Sequence, residues 1–288
     1  MNSLFIALRP KQWIKNAFIF CPLIFGKKLF IFPENIISLI GFCLFCLSSG
    51  SVYLVNDIVD IDKDRFHPIK KLRPLASGNI TVREAVVCAF LLAFLSLICS
   101  FLLDIYFGWI VGAYLLFNFF YSKILKNIVI IDVFCLALFF LLRIAAGGIL
   151  ANVEISRWIL IMTTLLSLFL GFNKRLKELQ FSEERKPSVS RMAFGYNRRL
   201  IDLLILVITS LIILAYILYV TDVRTVSEFG SFNLLYSVPF VYYGIFRYLY
   251  LIHKIREYGD PTHILLSDRP LRITILLWVG ICIAVIYF

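Results

Sequence analysis

The sequence is short of charge. Only 16% of its 288 residues are Asp, Glu, Lys or Arg, against 61% hydrophobic residues, and the mean hydropathy is +0.89. A soluble domain of this length needs far more polar surface to cover its core, so that class is excluded. Histidine is scarcer still, at three copies, and no histidine cluster stands near any of the seven cysteines. Cys43 and Cys46 have C-x-x-C spacing but sit mid-run beside Phe42, Leu44 and Phe45. They read as small hydrophobes in apolar helices, not as a metal or redox centre. No cleavable-signal pattern opens the chain, where Arg9, Lys11 and Lys15 flank a short, polar-interrupted stretch. Insertion into a membrane is therefore expected, not secretion. No low-complexity segment, clear repeat or separate soluble domain stands out.

What is present is apolar sequence in runs of about 20 residues, the length that crosses the hydrocarbon as a helix. Nine segments are predicted, near 16–31, 35–55, 82–103, 105–121, 128–150, 156–173, 200–220, 232–252 and 271–288. The first is the weakest, since it carries Pro22, Gly26, Lys27 and Lys28. The expected fold class is all-α: a polytopic membrane protein, a single domain over 1–288, with membrane lipids as its solvent.

The net charge of +11 would suggest nucleic acid for a soluble protein, but position decides otherwise. The N-terminus, the loops after even-numbered segments and the segment ends that adjoin them hold 24 of the 29 Lys and Arg. The opposite loops and the segment ends beside them hold Lys27, Lys28, Arg157 and Arg224, and Arg143 lies deep inside the fifth segment. This asymmetry places the N-terminus and the even loops in the cytoplasm, and no nucleic-acid partner is implied. Two of those loops, 56–81 and 173–199, are long and carry both signs of charge, so polar chemistry belongs on the cytoplasmic side.

The sharpest feature is Asn56-Asp57-Ile58-Val59-Asp60-Ile61-Asp62-Lys63-Asp64-Arg65, directly after an apolar helix. On a continued helix, Asp57, Asp60 and Asp64 share one face, Asn56 borders it and Asp62 points roughly opposite. Three carboxylates on one face repel each other unless a cation joins them. Oxygen donors of this kind suit Mg²⁺, with substrate phosphates as further ligands. Asp57, Asp60 and Asp64 are thus the candidate catalytic and metal-holding acids, with Asn56 as an additional ligand. The plain alternative is a solvated helix end with the acids paired to Lys63 and Arg65.

A basic loop follows, Phe66-His67-Pro68-Ile69-Lys70-Lys71-Leu72-Arg73-Pro74-Leu75-Ala76-Ser77-Gly78. Pro68 ends the helix at or before His67. Lys70, Lys71 and Arg73 bring cations back towards the acids, and acids for a metal beside bases for phosphate oxygens make a diphosphate cradle. Topogenic positive charge is the rival reading for any one of them. His67 either contacts phosphate or shapes the turn.

The run Asn-Asp-x-x-Asp-x-x-x-Asp, then Arg-Pro-Leu-x-x-Gly, on a nine-helix membrane chain resembles the UbiA-type intramembrane prenyltransferase superfamily along essentially the whole sequence. That resemblance implies a helical bundle around a central cavity open to lipid and capped by cytoplasmic loops. A narrower resemblance is to the decaprenyl-phosphate phosphoribosyltransferase branch. It is carried by Asp64-Arg65-x-His67-Pro68-x-Lys70 with Arg73-Pro74, by Arg9-Pro10-x-Gln12-Trp13-x-Lys15-Asn16, by Arg143-x-Ala145-x-Gly147-Gly148, by Lys174-Arg175-x-x-Glu178-Leu179 and by Ser267-Asp268-Arg269. It implies an enzyme of a bacterial inner membrane that takes phosphoribosyl pyrophosphate and a polyprenyl phosphate as substrates, uses Mg²⁺ and supplies cell-envelope glycan precursors.

Aromatic prenyltransferases of the superfamily carry a second aspartate-rich motif after the sixth segment. Here that place reads Asn173-Lys174-Arg175-Leu176-Lys177-Glu178, with cations where acids are usual. One acidic and one basic cluster fit a pyrophosphate on Mg²⁺ and a separate phosphate on Lys and Arg better than they fit a diphosphate between two metal-binding walls. Lys15, Asn56, Arg65, Lys70, Arg73, Tyr121, Lys126, Arg143, Lys174 and Arg175 are the candidate substrate contacts. Tyr121 reads equally well as an interfacial aromatic. Arg143, about 16 Å deeper than Asp132 along one helix, must face protein or water, so function or a buried ion pair is expected, with pairing to helix-terminal backbone carbonyls as the plain alternative. Two other classes stay in view: a prenyltransferase with an aromatic or other small acceptor, and a transporter with a polar cytoplasmic gate, against which the featureless opposite loops speak.

Overall fold

A computed structural model describes residues 3–185, 195–254 and 261–288. The described residues are helical throughout, with no strand. The order is α1 (Ser3–Ala7), a 3₁₀ stretch (Pro10–Ile19), α2 (Phe20–Phe25), α3 (Glu34–Val59), α4 (Ile61–Phe66), α5 (Val82–Leu103), α6 (Ile105–Lys123), α7 (Ile131–Leu150), α8 (Arg157–Arg185), α9 (Arg198–Thr221), α10 (Val223–Phe229), α11 (Val238–Lys254), α12 (Pro261–Ser267) and α13 (Arg269–Tyr287), with further 3₁₀ turns at Lys70–Leu72, Leu125–Asn127 and Asn233–Ser237. The chain packs as two compact units, Met1–Ile155 and Ser156–Phe288.

Seven described helices are long and apolar enough to cross a bilayer: α3, α5, α6, α7, α8, α9 and α13. The chain is a multi-pass membrane protein. The first and eighth predicted segments take other forms. The first is 3₁₀ helix as far as Ile19 and then six residues of α2, in a stretch punctuated by Pro10, Pro22 and Pro33. The eighth is the turn Asn233–Ser237 followed by the 17 residues of α11. One expectation is corrected outright. Residues 173–185 of the predicted loop 173–199 continue α8, and 186–194 fall outside the described residues. Between Asn173 and Arg185 there is no Pro or Gly and much Lys, Arg, Glu and Leu, so nothing stops the helix at the membrane surface. Its 29 residues run about 44 Å, well beyond a hydrocarbon core of about 30 Å.

In the first unit α3 is the central element. Lipid offers no hydrophobic drive between helices, so close approach and satisfied polar groups hold them. The run Ser48-Ser49-Gly50-Ser51 supplies both. Ser48 Oγ meets Ser96 Oγ of α5 at 2.9 Å, and Ser51 Oγ donates to the Ala89 carbonyl at 2.7 Å. On α7, a Cβ added to Gly147 would collide with the Ile19 backbone carbonyl, so this glycine seats the 3₁₀ stretch against α7. α5 starts on a capping box in which Thr81 and Glu84 satisfy each other's backbone N–H groups. Its outer face leaves Phe90, Leu91 and Phe94 exposed.

The second unit is pinned by polar contacts of its own. Tyr216 OH lies 2.6 Å from Ser237 Oγ and accepts from Trp278 Nε1 at 2.8 Å. Asp268 caps α13 by accepting from the Leu271 N–H at 2.8 Å and pairs with Arg247 Nη2 at 2.9 Å. The Arg247 hydrogen bond holds the Asp268 carboxyl below the usual carboxylate range.

Candidate active site

The acidic run sits where α3 gives way to α4. Helical backbone ends at Val59, and Asp60 (φ −100°, ψ 8°) caps one helix and opens the next. The ladder barely breaks: Asp60 N–H donates to the Asn56 carbonyl at 3.0 Å and Asp64 N–H to the Asp60 carbonyl at 2.8 Å. The chain therefore keeps close to a helical path, and residues seven apart stay on one side. Asp57 and Asp64, each 3% exposed, meet there. Arg73 Nη1 donates to Asp57 Oδ1 at 3.2 Å and also to Asp64 Oδ2. Arg9 Nη2 donates to the same Asp57 oxygen. Two buried carboxylates thus face two guanidinium groups.

Asp60 does not join the pair. Its carboxylate takes Lys126 Nζ on both oxygens, at 2.7 and 2.8 Å, with Lys63 Nζ at 3.9 Å. Lys126 comes from the turn between α6 and α7. Asn56 Oδ1 accepts from Ser122 Oγ, near the end of α6. Asp62 is well exposed and lies 3.8 Å from Arg65 Nη1, a surface pair worth at most about 1 kcal/mol. Ionic pairing to Lys63 and Arg65 thus describes Asp60 in part and Asp62, but not the buried pair.

Two of the turns that bring cations to the acids hold a non-glycine residue at positive φ: Arg9 at 52° and Ile130 at 71°. Such backbone costs roughly 1–3 kcal/mol and persists only where the surroundings fix it. Arg9 stands outside the candidate set read from the sequence. It was visible in the Arg9-Pro10 motif, but only the fold shows its reach to Asp57 and its stacking on Tyr53, with Cζ 5.2 Å from the ring centroid. Ser122 carried no sequence signal.

The other candidates spread more widely. His67 is buried, and its Nδ1 accepts the backbone N–H groups of Ile69 and Lys70, both at 3.2 Å, so it shapes the turn. Lys70 is half-buried beside it, and Lys15 is half-buried on the 3₁₀ stretch. Tyr121 sets its ring edge-on to Phe139 at 5.6 Å. Arg143, 4% exposed, has neutral partners: Nε donates to Asn16 Oδ1 at 2.8 Å, Nη1 to the Phe139 carbonyl at 2.7 Å and Nη2 to Tyr114 OH at 3.1 Å. Its Cζ lies 4.9 Å from the Tyr114 ring centroid and 5.6 Å from that of Phe45. Among the described residues no carboxylate pairs with it, and the one backbone carbonyl it reaches, that of Phe139, lies within α7 and not at a helix end. Asn16 in turn donates to Ser49 Oγ at 3.0 Å, so Arg143 ties α7, α6, the 3₁₀ stretch and α3 together.

In the second unit the basic cluster lies on α8. Arg175 and Lys177 are buried, Lys174 is half-buried, and Arg175 Nη1 pairs with Glu178 Oε2. Asn173 donates to the Phe169 carbonyl at 2.8 Å, and its buried Oδ1 has no hydrogen-bond partner among the described residues.

The acid pair passes the chemical test for a hard divalent cation. Two carboxylates already converge on one cationic nitrogen, and Mg²⁺ typically takes one or two carboxylates with water and phosphate oxygens completing the shell. Among the described residues no group of three or more acids, histidines or cysteines converges, so the built feature is a pair and not a trio.

The pattern of the UbiA prenyltransferase family matches residues 19–263. A decaprenyl-phosphate phosphoribosyltransferase from Corynebacterium glutamicum is 31% identical over 286 residues, covering 98% of this chain and 86% of that protein. One from Mycolicibacterium smegmatis is 30% identical and covers 100% of this chain and 93% of that protein. Among solved structures, a UbiA homologue from Archaeoglobus fulgidus, bound to GPP and Mg²⁺, superposes with a TM-score of 0.72 over 99% of this chain and 100% of its own, at 18% identity, which marks a shared fold.

Proposed function

The chain belongs to the UbiA prenyltransferase family, and from that footing we propose that it transfers the 5-phosphoribosyl group of phosphoribosyl pyrophosphate to a polyprenyl phosphate and releases pyrophosphate. The observation that carries this is the near-full-length similarity to proteins named decaprenyl-phosphate phosphoribosyltransferase. The cation-rich Asn173–Glu178 stretch agrees with it, since a second acidic wall for a prenyl diphosphate is lacking there.

The reaction is a displacement at ribose C1. An oxygen of the lipid phosphate forms the new C1–O bond, and the bond to pyrophosphate breaks with its electron pair leaving on pyrophosphate. The nucleophile is already anionic, so the protein's work is to position charges and neutralise the leaving group. Asp57 and Asp64 would hold Mg²⁺, with Asn56 and Asp60 as further oxygen donors from the same stretch. The ion, when bound, supplies charge stabilisation to the departing pyrophosphate. Arg9, Arg73 and Lys70 offer charge-assisted hydrogen bonds to phosphate oxygens. Lys174 and Arg175 offer the same for a separate phosphate. The Lys and Arg asymmetry supports a site on the cytoplasmic side, and the bacterial relatives support a bacterial inner membrane; that placement would give access to a soluble sugar phosphate and a membrane-bound acceptor.

The test is incubation of purified protein with phosphoribosyl pyrophosphate, Mg²⁺ and a set of polyprenyl phosphates, followed by mass spectrometry of the lipids. A mass gain of one phosphoribosyl group on the lipid phosphate is expected. No such product with any chain length would overturn the proposal.

A further inference from the structure

The acid pair is electrically balanced by the protein itself. Asp57 and Asp64 contribute two negative charges, and Arg9 and Arg73 two positive ones. A divalent cation entering alone would leave this poorly screened place with two excess positive charges. A cation arriving with a pyrophosphate group would not.

The two arginines are placed differently. Among the described residues Arg9 pairs with one acid, Asp57, and it lies against Tyr53. Arg73 Nη1 stands between the two carboxylates, in contact with one oxygen of each, which is the position a bridging cation takes. The backbone around Arg73 is fixed. Its N–H donates to the Lys70 carbonyl at 3.0 Å, its carbonyl accepts from Ser77 at 2.9 Å, and Leu75 and Ile80 are buried with Leu54, Ala85 and Ala89. The side chain itself is 26% exposed.

We propose that Arg73 is a cation surrogate: its guanidinium keeps the acid pair together, yields its place to the divalent ion when that ion arrives with the sugar diphosphate, and then turns onto the diphosphate oxygens. This rests on the metal and donor assigned above. Metal and donor then bind cooperatively, and by linkage each raises the other's affinity by the same factor.

The test measures binding, not turnover. Mn²⁺ is titrated into purified protein, and the free ion is read by its paramagnetic resonance signal. Wild type should bind Mn²⁺ weakly alone. Arg73→Ala should bind it roughly tenfold tighter or more, because a cation within a few ångströms has gone. Arg73→Lys, which keeps the charge, should stay near wild type. Retention of labelled phosphoribosyl pyrophosphate should rise with Mn²⁺ in wild type and much less in Arg73→Ala. If Arg73→Ala does not stay monodisperse, Arg73→Gln serves the same comparison. Equal or weaker Mn²⁺ binding by the neutral variant would overturn the surrogate role. Mn²⁺ binding by no form, with or without the donor, would overturn the surrogate and the metal site together, while the lipid-product assay would still decide the transfer reaction separately.

Discussion

Lys126 holds Asp60 by both carboxylate oxygens, at 2.7 and 2.8 Å, across 66 residues of sequence. The contact draws Asp60 out of the acidic run and leaves Asp57 and Asp64 as the buried pair. It also anchors the α6–α7 turn to the end of α3.

The four carboxylates of the run are therefore expected to fall into three grades. Asp57→Asn and Asp64→Asn should abolish turnover at any Mg²⁺ concentration. Asp60→Asn should reduce it by a smaller factor, and Lys126→Met by a similar one, with the double variant no worse than the more damaging single one, as for two ends of one contact. Asp62→Asn should be near wild type. Initial rates across an Mg²⁺ series check this; equal loss at Asp62 and Asp57 would defeat the buried-pair argument.

Arg143 should matter chiefly for stability. Arg143→Met leaves Asn16 Oδ1 and Tyr114 OH without their donor. Each orphaned buried group costs about 1–3 kcal/mol. A markedly lower melting temperature in detergent is expected, with Asn16→Ala lying between wild type and Arg143→Met. Normal stability with a selectively raised KM for one substrate would instead show that the guanidinium reaches a ligand.

Gly147 offers a test of how the N-terminal stretch is seated. Gly147→Ala drives a methyl into the Ile19 carbonyl, and overpacking of this kind costs typically about 1–3 kcal/mol. Gly112→Ala meets only Leu97 Cδ1 at 3.6 Å and should be neutral or mildly stabilising. Thermal melts of the pair compare them directly. Activity should fall with Gly147→Ala too, since the same stretch follows on from Arg9.

On α8, Lys174→Ala and Arg175→Ala should raise the apparent KM of the sugar donor or the lipid. A lost charge-assisted hydrogen bond of about 1.5–3 kcal/mol corresponds to roughly 10- to 150-fold. The Mg²⁺ requirement should be unchanged. A shifted Mg²⁺ dependence would mean that these cations act at the metal instead.

Much of this architecture was legible in the sequence. The α5 span 82–103 follows from apolar run length, and α6, α7, α9 and α13 lie within a few residues of expectation. Run length failed where winding changes, as in the 3₁₀ stretch Pro10–Ile19, and where a helix outlasts the membrane, as α8 does past Asn173. Helical spacing put Asp57 and Asp64 on one side. It also put Asp60 there, because spacing is blind to Lys126 arriving from a distant turn. The reach of Arg9 to Asp57 and of Ser122 to Asn56 was hidden for the same reason: both depend on tertiary approach, which a local pattern does not encode.

The central claim is the identity of the donor, and pyrophosphate release measures it most directly, with each donor offered alone to its own acceptor. Phosphoribosyl pyrophosphate with polyprenyl phosphate should release pyrophosphate in an Mg²⁺-dependent way, and prenyl diphosphate with a phenolic acid should not. Release from the prenyl diphosphate pair, with none from the phosphoribosyl pair, would contradict the account.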